Sequence, residues 1–194
     1  MFQVEDGPCL NVLVAYFSHS GITRAVAQII REKTCGVMYG VETRKIYSKR
    51  TIIEEAVQEM REGNLPPLKH SVPSMFSYDY GLVGGPVWEN NIPAPLMTFL
   101  RDAEFKGKKV APFCTHAGNA GTFLPDFGNQ ARNADHMDGL ELPVQRNTLE
   151  SIATVLTSWL AGLGLVKPLA GAAWQAFRIA DPYSVHAEAA LPSD

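Results

Sequence analysis

Apolar positions along this chain switch repeatedly between a strand-like run and a helical period. Leu10 to Phe17 reads LNVLVAYF, a continuous apolar run with β-branched and aromatic members, which predicts a strand buried on both faces of a parallel sheet. After Gly21 the apolar positions Ile22, Ala25, Val26, Ile29 and Ile30 recur at helical spacing, with Arg24, Gln28, Arg31 and Glu32 opposite. A helix therefore starts straight after the strand and a short polar turn. Met38 to Arg44 predicts a second strand, and Thr51-Ile52-Ile53-Glu54 offers a capping box for a helix with Ile52, Ile53, Ala56, Val57 and Met60 on its apolar stripe. Pro66, Pro67 and Pro73 exclude regular helix between Gly63 and Ser77, which reads as a long surface connection.

Tyr80 to Val87, YGLVGGPV, predicts a third strand running into a loop. Pro93 and Pro95 suit the first turn of a helix that points Leu96, Met97 and Leu100 inward. Lys109 to Cys114 predicts a fourth strand, in which Pro112 cannot donate to the ladder and so implies a local bulge. A loop from Thr115 to Gly121 leads to a weaker helix with Phe123, Leu124, Phe127 and Ala131, and Met137 to Leu142 predicts a fifth strand. The last helix has Asn147 and Glu150 as a cap pair, a stripe of Leu149, Ile152, Ala153, Leu156, Trp159, Leu160 and Leu163, and Gly164 to close it. Strands alternating with helices imply right-handed crossovers and a parallel sheet with helices on both faces.

The chain of 194 residues is long enough for one full core, here residues 1–167. Residues 168–194 are too few for a second core and too apolar for a solvating tail, so they are expected to dock on the domain or on a partner subunit; a homodimer is the commonest closed assembly. A net charge of −3 leaves no basic excess for a nucleic acid backbone or an anionic membrane. Met1 to Pro8 lacks a signal-peptide pattern and no apolar run approaches membrane-spanning length, so a cytoplasmic location is expected. Cys9, Cys35 and Cys114 match no zinc or redox spacing, and His19, His70, His116, His136 and His186 form no i, i+4 pair, so no metal is expected.

In such a sheet, ligands bind outside the carboxyl ends of strands at the switch point, which directs attention to the loops after strands one, three and four. The first, Ser18-His19-Ser20-Gly21-Ile22-Thr23, sets hydroxyls and a glycine at a helix start, where free N–H groups and the helix dipole favour an anion. It has neither the lysine and spacing of a P-loop nor a GxGxxG, so a single phosphate monoester suits it better than a triphosphate or a dinucleotide. The same residues serve equally for a helix capped by Ser20. The second loop, Gly84-Gly85-Pro86-Val87-Trp88-Glu89-Asn90-Asn91, places a large aromatic beside amides and a carboxylate, where a planar ring can stack, unless Trp88 is core. The third, Thr115-His116-Ala117-Gly118-Asn119-Ala120-Gly121, lets backbone approach a ligand closely. His116 is either a proton donor there or an exposed loop histidine, the commoner case.

Together AYFSHSGITRAVAQII, YDYGLVGGPVWENNIPAPLMTFL and GKKVAPFCTHAGNAG resemble the flavodoxin-like family, in its short single-domain branch, over about Leu10 to Leu165. The resemblance implies a three-layer α/β sandwich with a five-stranded parallel sheet in order 2-1-3-4-5, and FMN as cofactor. It implies the phosphate on Ser18, Ser20, Gly21, Ile22 and Thr23, beside His19. The isoalloxazine falls between Pro86, Val87, Trp88, Glu89 and Asn90 on one side and Thr115, His116, Ala117, Gly118, Asn119 and Gly121 on the other. The chain departs from relatives at Glu89-Asn90-Asn91, where a second tryptophan and a glycine are frequent, and at Ala117-Gly118, where two glycines are. No residue of the chain itself is expected to be catalytic, because the flavin performs the redox chemistry; Ser18-His19-Ser20-Gly21 is not a hydrolase G-x-S-x-G elbow. The expected function is electron transfer from NAD(P)H or a redox partner to a small acceptor such as a quinone. The alternatives are a carrier that docks on proteins through its flavin edge, and a regulatory domain with a degenerate flavin site.

Overall fold

The first apolar run, β1 (Val12–Tyr16), is hydrogen-bonded on both edges, so its residues face a helix layer on either side and four of the five are buried. The structure, a computed structural model, describes residues 10–45, 47, 52–144 and 148–166, and the side chains of 52, 53 and 149 lie outside that description. Chain order continues α1 (Ile22–Thr34), β2 (Val37–Gly40), α2 (Ile52–Glu62), β3 (Tyr80–Pro86) and α3 (Ala94–Asp102). After these come β4 (Lys109–His116), α4 (Phe123–Gln130), β5 (Asp135–His136), β6 (Leu140–Pro143) and α5 (Leu149–Gly162). The sheet order is β2-β1-β3-β4-β5, with β6 also on β4, and every pairing is parallel. One core layer joins β1, β3 and β4 to α2, α3 and α4 through Leu96, Phe99, Phe123 and Phe127; the other joins them to α1 and α5 through Val26, Ile30, Leu156 and Leu160.

Several boundaries move from their sequence expectations. The fifth strand is split in two, and Pro112 is the reason. Met137 N–H donates to Val110 O at 2.9 Å, so even-numbered residues of β4 direct their backbone groups to this neighbour, and the N–H that Pro112 lacks is missing on the same side. Val110 pairs with His136 but Phe113 pairs with Leu140, so three steps along β4 meet four along its partner. The bulge is therefore borne by the neighbour and not by the proline's own strand. Gly139 sits in it because a Cβ there would come within 2.8 Å of Pro112 Cγ and of Leu124.

β2 stops at Gly40 instead of Arg44. Residues 42–44 turn out of the sheet and pair antiparallel with 67–69: Arg44 N–H donates to Pro67 O at 2.9 Å and Lys69 N–H to Glu42 O at 2.8 Å, around a Thr43–Leu68 bridge. The proline-rich connection is thus pinned, and not merely on the surface: Pro66 O accepts from the buried Thr98 hydroxyl at 2.9 Å, and Met75 is buried in a short 3-10 turn, Met75–Ser77. α5 is capped by Thr148, whose hydroxyl accepts from Ser151 N–H. Asn147, the expected cap, and Thr51, the expected cap of α2, lie outside the described residues, as do residues 167–194.

Candidate functional site

The carboxyl ends of β1, β3 and β4 bring the three loops to one edge of the sheet. Gly21 (φ 94°) is the N-cap of α1 and makes no side-chain cap, so Ser20 does not cap the helix. Ala25 N–H bonds to Gly21 O, and Gly21 N–H to Ser18 Oγ at 3.2 Å. The N–H groups of Ile22, Thr23 and Arg24 have no acceptor among the described residues, and the first turn carries no acidic side chain. Three free N–H groups at the positive end of a helix are a preorganised anion cradle. Ser20 and His19 are exposed beside it, and Ser18 is half-buried.

The Thr23 side chain has a further, structural role. Its side chain is buried and its Oγ1 lies 2.9 Å from Thr115 Oγ1 on β4, a hydroxyl pair that ties the first loop to the third. Thr23→Val is expected to cost about 1–2 kcal/mol in urea unfolding, because it strands the buried Thr115 hydroxyl. The double variant Thr23→Val/Thr115→Val should recover most of that loss. Additive losses would mean that the hydroxyls do not act as a pair.

The second loop is a two-residue hairpin. Trp88 and Asn91 exchange N–H···O bonds of 3.1 and 2.9 Å, and both central residues, Glu89 (φ 46°) and Asn90 (φ 67°), are left-handed. Turns of this kind favour Asn-Gly, so a glutamate at the first position is strained. Asn90 is fixed by the residue after the third loop: Thr122 donates to Asn90 O from N–H (2.8 Å) and from Oγ1 (3.1 Å). Gly121 (φ 57°) packs so closely that a Cβ would lie 2.3 Å from Asn90 O. Trp88 is buried, with its ring edge-on to Phe17 (5.3 Å between centroids) and His19 (6.0 Å), so it is core below the rim and not an open platform. Glu89 points outward and reaches Arg61 at 3.5 Å, an exposed pair of little energetic weight.

In the third loop the strand persists two residues beyond its expected end. Thr115 O accepts from Val87 N–H at 2.9 Å and His116 O from Val144 N–H at 3.0 Å, so Thr115 and His116 belong to β4. His116 is consequently buried, not an exposed loop histidine, and neither ring nitrogen has a hydrogen-bond partner among the described residues. Alternation along β4 sets its ring on the face of the sheet that holds Trp88, Ala120 and Phe123. Buried polar atoms without partners are rare and costly, and they mark places where a ligand is expected to supply the bond. Ala117, Gly118, Asn119 and Gly121 are exposed around it, and Pro86 and Val87 are half-buried. Burial pushes the neighbouring Cys114 thiol up to about 12, helped by the charge of Glu141, so it is not a nucleophile. Thr122 and Arg61 were not singled out from sequence; only the hydroxyl next to a glycine-rich loop hinted at the first.

These features define an α/β protein that binds an anionic ligand at the switch point of a parallel sheet. A flavodoxin family model matches residues 11–154, and the chain belongs to that family. Among solved structures, a protein of Bacteroides uniformis described as a flavoprotein is 24% identical with a TM-score of 0.66, covering 76% of this chain and 97% of that one. A Lactobacillus acidophilus flavoprotein in complex with FMN is 22% identical with a TM-score of 0.61, covering 68% and 93%. An NADH:FMN oxidoreductase is 12% identical with a TM-score of 0.50, covering 80% and 89%. A search of curated proteins finds no match. FMN is the cofactor of this family, and the residues present fit it: three N–H groups unpartnered among the described residues at a helix start, suited to a phosphate, and a buried imidazole without a described partner at the same sheet edge.

Proposed function

We propose that the protein is an FMN-dependent oxidoreductase that takes electrons from NAD(P)H or a redox partner and passes them to a small acceptor such as a quinone. The observation that carries this reading is the rim of three loops braced to each other through Thr23–Thr115 and Asn90–Thr122, around an anion cradle at the start of α1. FMN, when bound, supplies the hydride acceptor and the electron donor. The chain's own part is to hold and shield it. The N–H groups of Ile22, Thr23 and Arg24 take the phosphate, and the two pinned loops set the width of the slot for the ring. Between them His116 offers an imidazole whose nitrogens have no hydrogen-bond partner among the described residues. A net charge of −3 gives weak electrostatic steering toward a protein partner, which favours a small substrate over a dedicated carrier role.

Anaerobic mixing of the FMN-loaded protein with NADH or NADPH tests the reading. Rapid bleaching of the flavin absorbance, followed by reoxidation on adding a quinone, is the expected result. A yellow protein that bleaches only with a reduced protein partner would be a carrier. A colourless protein that fails to take up FMN would overturn both.

A further inference from the structure

A second cleft, of about 560 Å³, opens on the far side of the first loop, between Phe17, Ser18 and His19 and the ribbon made by residues 42–44 and 69. It takes no residue from the second or third loop, so it lies apart from the slot for the flavin ring. Its size is that of a small-molecule site. Phe17 and Val41, both buried, form an apolar floor.

Residues 42–44 and Lys69 all line it, and the antiparallel pairing sets which of them share a face. Thr43 and Leu68 are bridged, so Glu42, Arg44 and Lys69 all project from the opposite face of the ribbon. Glu42 is neutralised by Lys69, whose Nζ lies 2.8 Å from its carboxylate, and His70 stands 3.9 Å away. Arg44, by contrast, has no carboxylate or other side-chain partner among the described residues, although its backbone is fixed by the bond to Pro67. A guanidinium with no side-chain partner among the described residues, above an apolar floor and beside the Ser18 hydroxyl and the His19 ring, suits a ligand that combines a flat base with phosphates. His19 lines this cleft, and its ring also stands edge-on to Trp88, 6.0 Å between centroids, so one side chain adjoins both the cleft and the second loop.

We propose that the cleft between the first loop and the 42–44/67–69 ribbon holds the ADP-ribose half of the nicotinamide dinucleotide, with Arg44 gripping its phosphates. The proposal rests on the reading of the protein as an oxidoreductase whose flavin is reduced by NAD(P)H. It gives that reading a donor site, although no nicotinamide-binding motif stands in the sequence.

The test uses the full FMN-loaded chain and two probes that lack nicotinamide and cannot reduce the flavin: ADP-ribose and 2′-phospho-ADP-ribose, titrated calorimetrically into wild type, Arg44→Gln and Arg44→Lys. Arg44→Gln is expected to weaken binding about tenfold, the effect of one charge-assisted phosphate contact, with partial recovery in Arg44→Lys and no change in FMN affinity. In turnover, KM for the dinucleotide should rise while the bleaching rate at saturation stays the same. Tighter binding of the 2′-phosphorylated probe in wild type would assign Arg44 to the 2′-phosphate, and equal binding to the diphosphate; both support the site. Failure of wild type to bind either probe, or equal affinity in Arg44→Gln, overturns it, as does a matching loss of FMN affinity, which would make the cleft part of the flavin site. Bleaching by NADH with no probe binding defeats only the cleft. Arg44-dependent probe binding with no bleaching supports the cleft as a phosphate site and defeats only the reductase reading.

Discussion

Gly121→Ala is expected to destabilise the apoprotein by about 2–4 kcal/mol and to weaken FMN binding at least about tenfold. Two costs coincide at this position. The backbone is left-handed, at φ 57°, and the added Cβ would stand 2.3 Å from Asn90 O and 2.5 Å from Asn90 Cα. Neither atom can rotate away, because both belong to the backbone. Asn90 is itself left-handed and is held by two bonds from Thr122. The hairpin must therefore move as a body, taking Trp88 and the width of the ring slot with it. Gly118→Ala is the matched control: it lies in the same loop, at an ordinary φ, with nothing within 4 Å of the added Cβ. Urea unfolding and quenching of FMN fluorescence should leave Gly118→Ala within about 0.5 kcal/mol of wild type. Equal behaviour of the two variants would refute the close contact as the origin of the effect.

His116→Leu should separate stability from binding. Both ring nitrogens are buried without partners among the described residues, so an apolar side chain of similar bulk should raise the unfolding free energy of the apoprotein by about 1–3 kcal/mol. The same change removes the imidazole from the flavin edge and should weaken FMN, so the two measurements move in opposite directions. Trade-offs of this sign are characteristic of groups kept for a ligand at the expense of the fold. A variant less stable than wild type as apoprotein would mean that His116 is satisfied by the fold.

The residues that build the rim differ in how far their roles are legible in the sequence. Ser18 to Thr23 announced an anion site because hydroxyls and a glycine stood between a buried strand and a helical period. Such a junction leaves N–H groups free whatever the rest of the chain does. The division of labour inside that loop was not visible. Thr23 looked like a phosphate ligand through its hydroxyl, yet that hydroxyl is used on Thr115, 92 positions away in the chain. Trp88 could be read as platform or as core, and only its edge-on contacts with Phe17 and His19 place it below the rim. Glu89 could have faced the ring; the left-handed hairpin turns it outward toward Arg61.

The alternation of apolar runs and helical stripes was enough to give the α/β class and the five α-helices of the described residues, because burial against a layer imposes a period that any local window retains. The resemblance of three loops in order then brought the strand order 2-1-3-4-5 and FMN. The exact course of the backbone between those elements depended on pairings that no local window contains. Pro112 implied a bulge, but which strand would carry it followed from the direction its missing N–H faces. β4 ran on through His116 because Val87 and Val144 were there to bond its neighbours, and this buried a histidine that read as a loop residue. Residues 42–44 left the sheet because 67–69 offered them a partner, and only that pairing put Arg44 over a cleft. Side-chain period is a property of neighbours in sequence. Hydrogen-bond partnership is a property of neighbours in space, and the site is built mainly from the second.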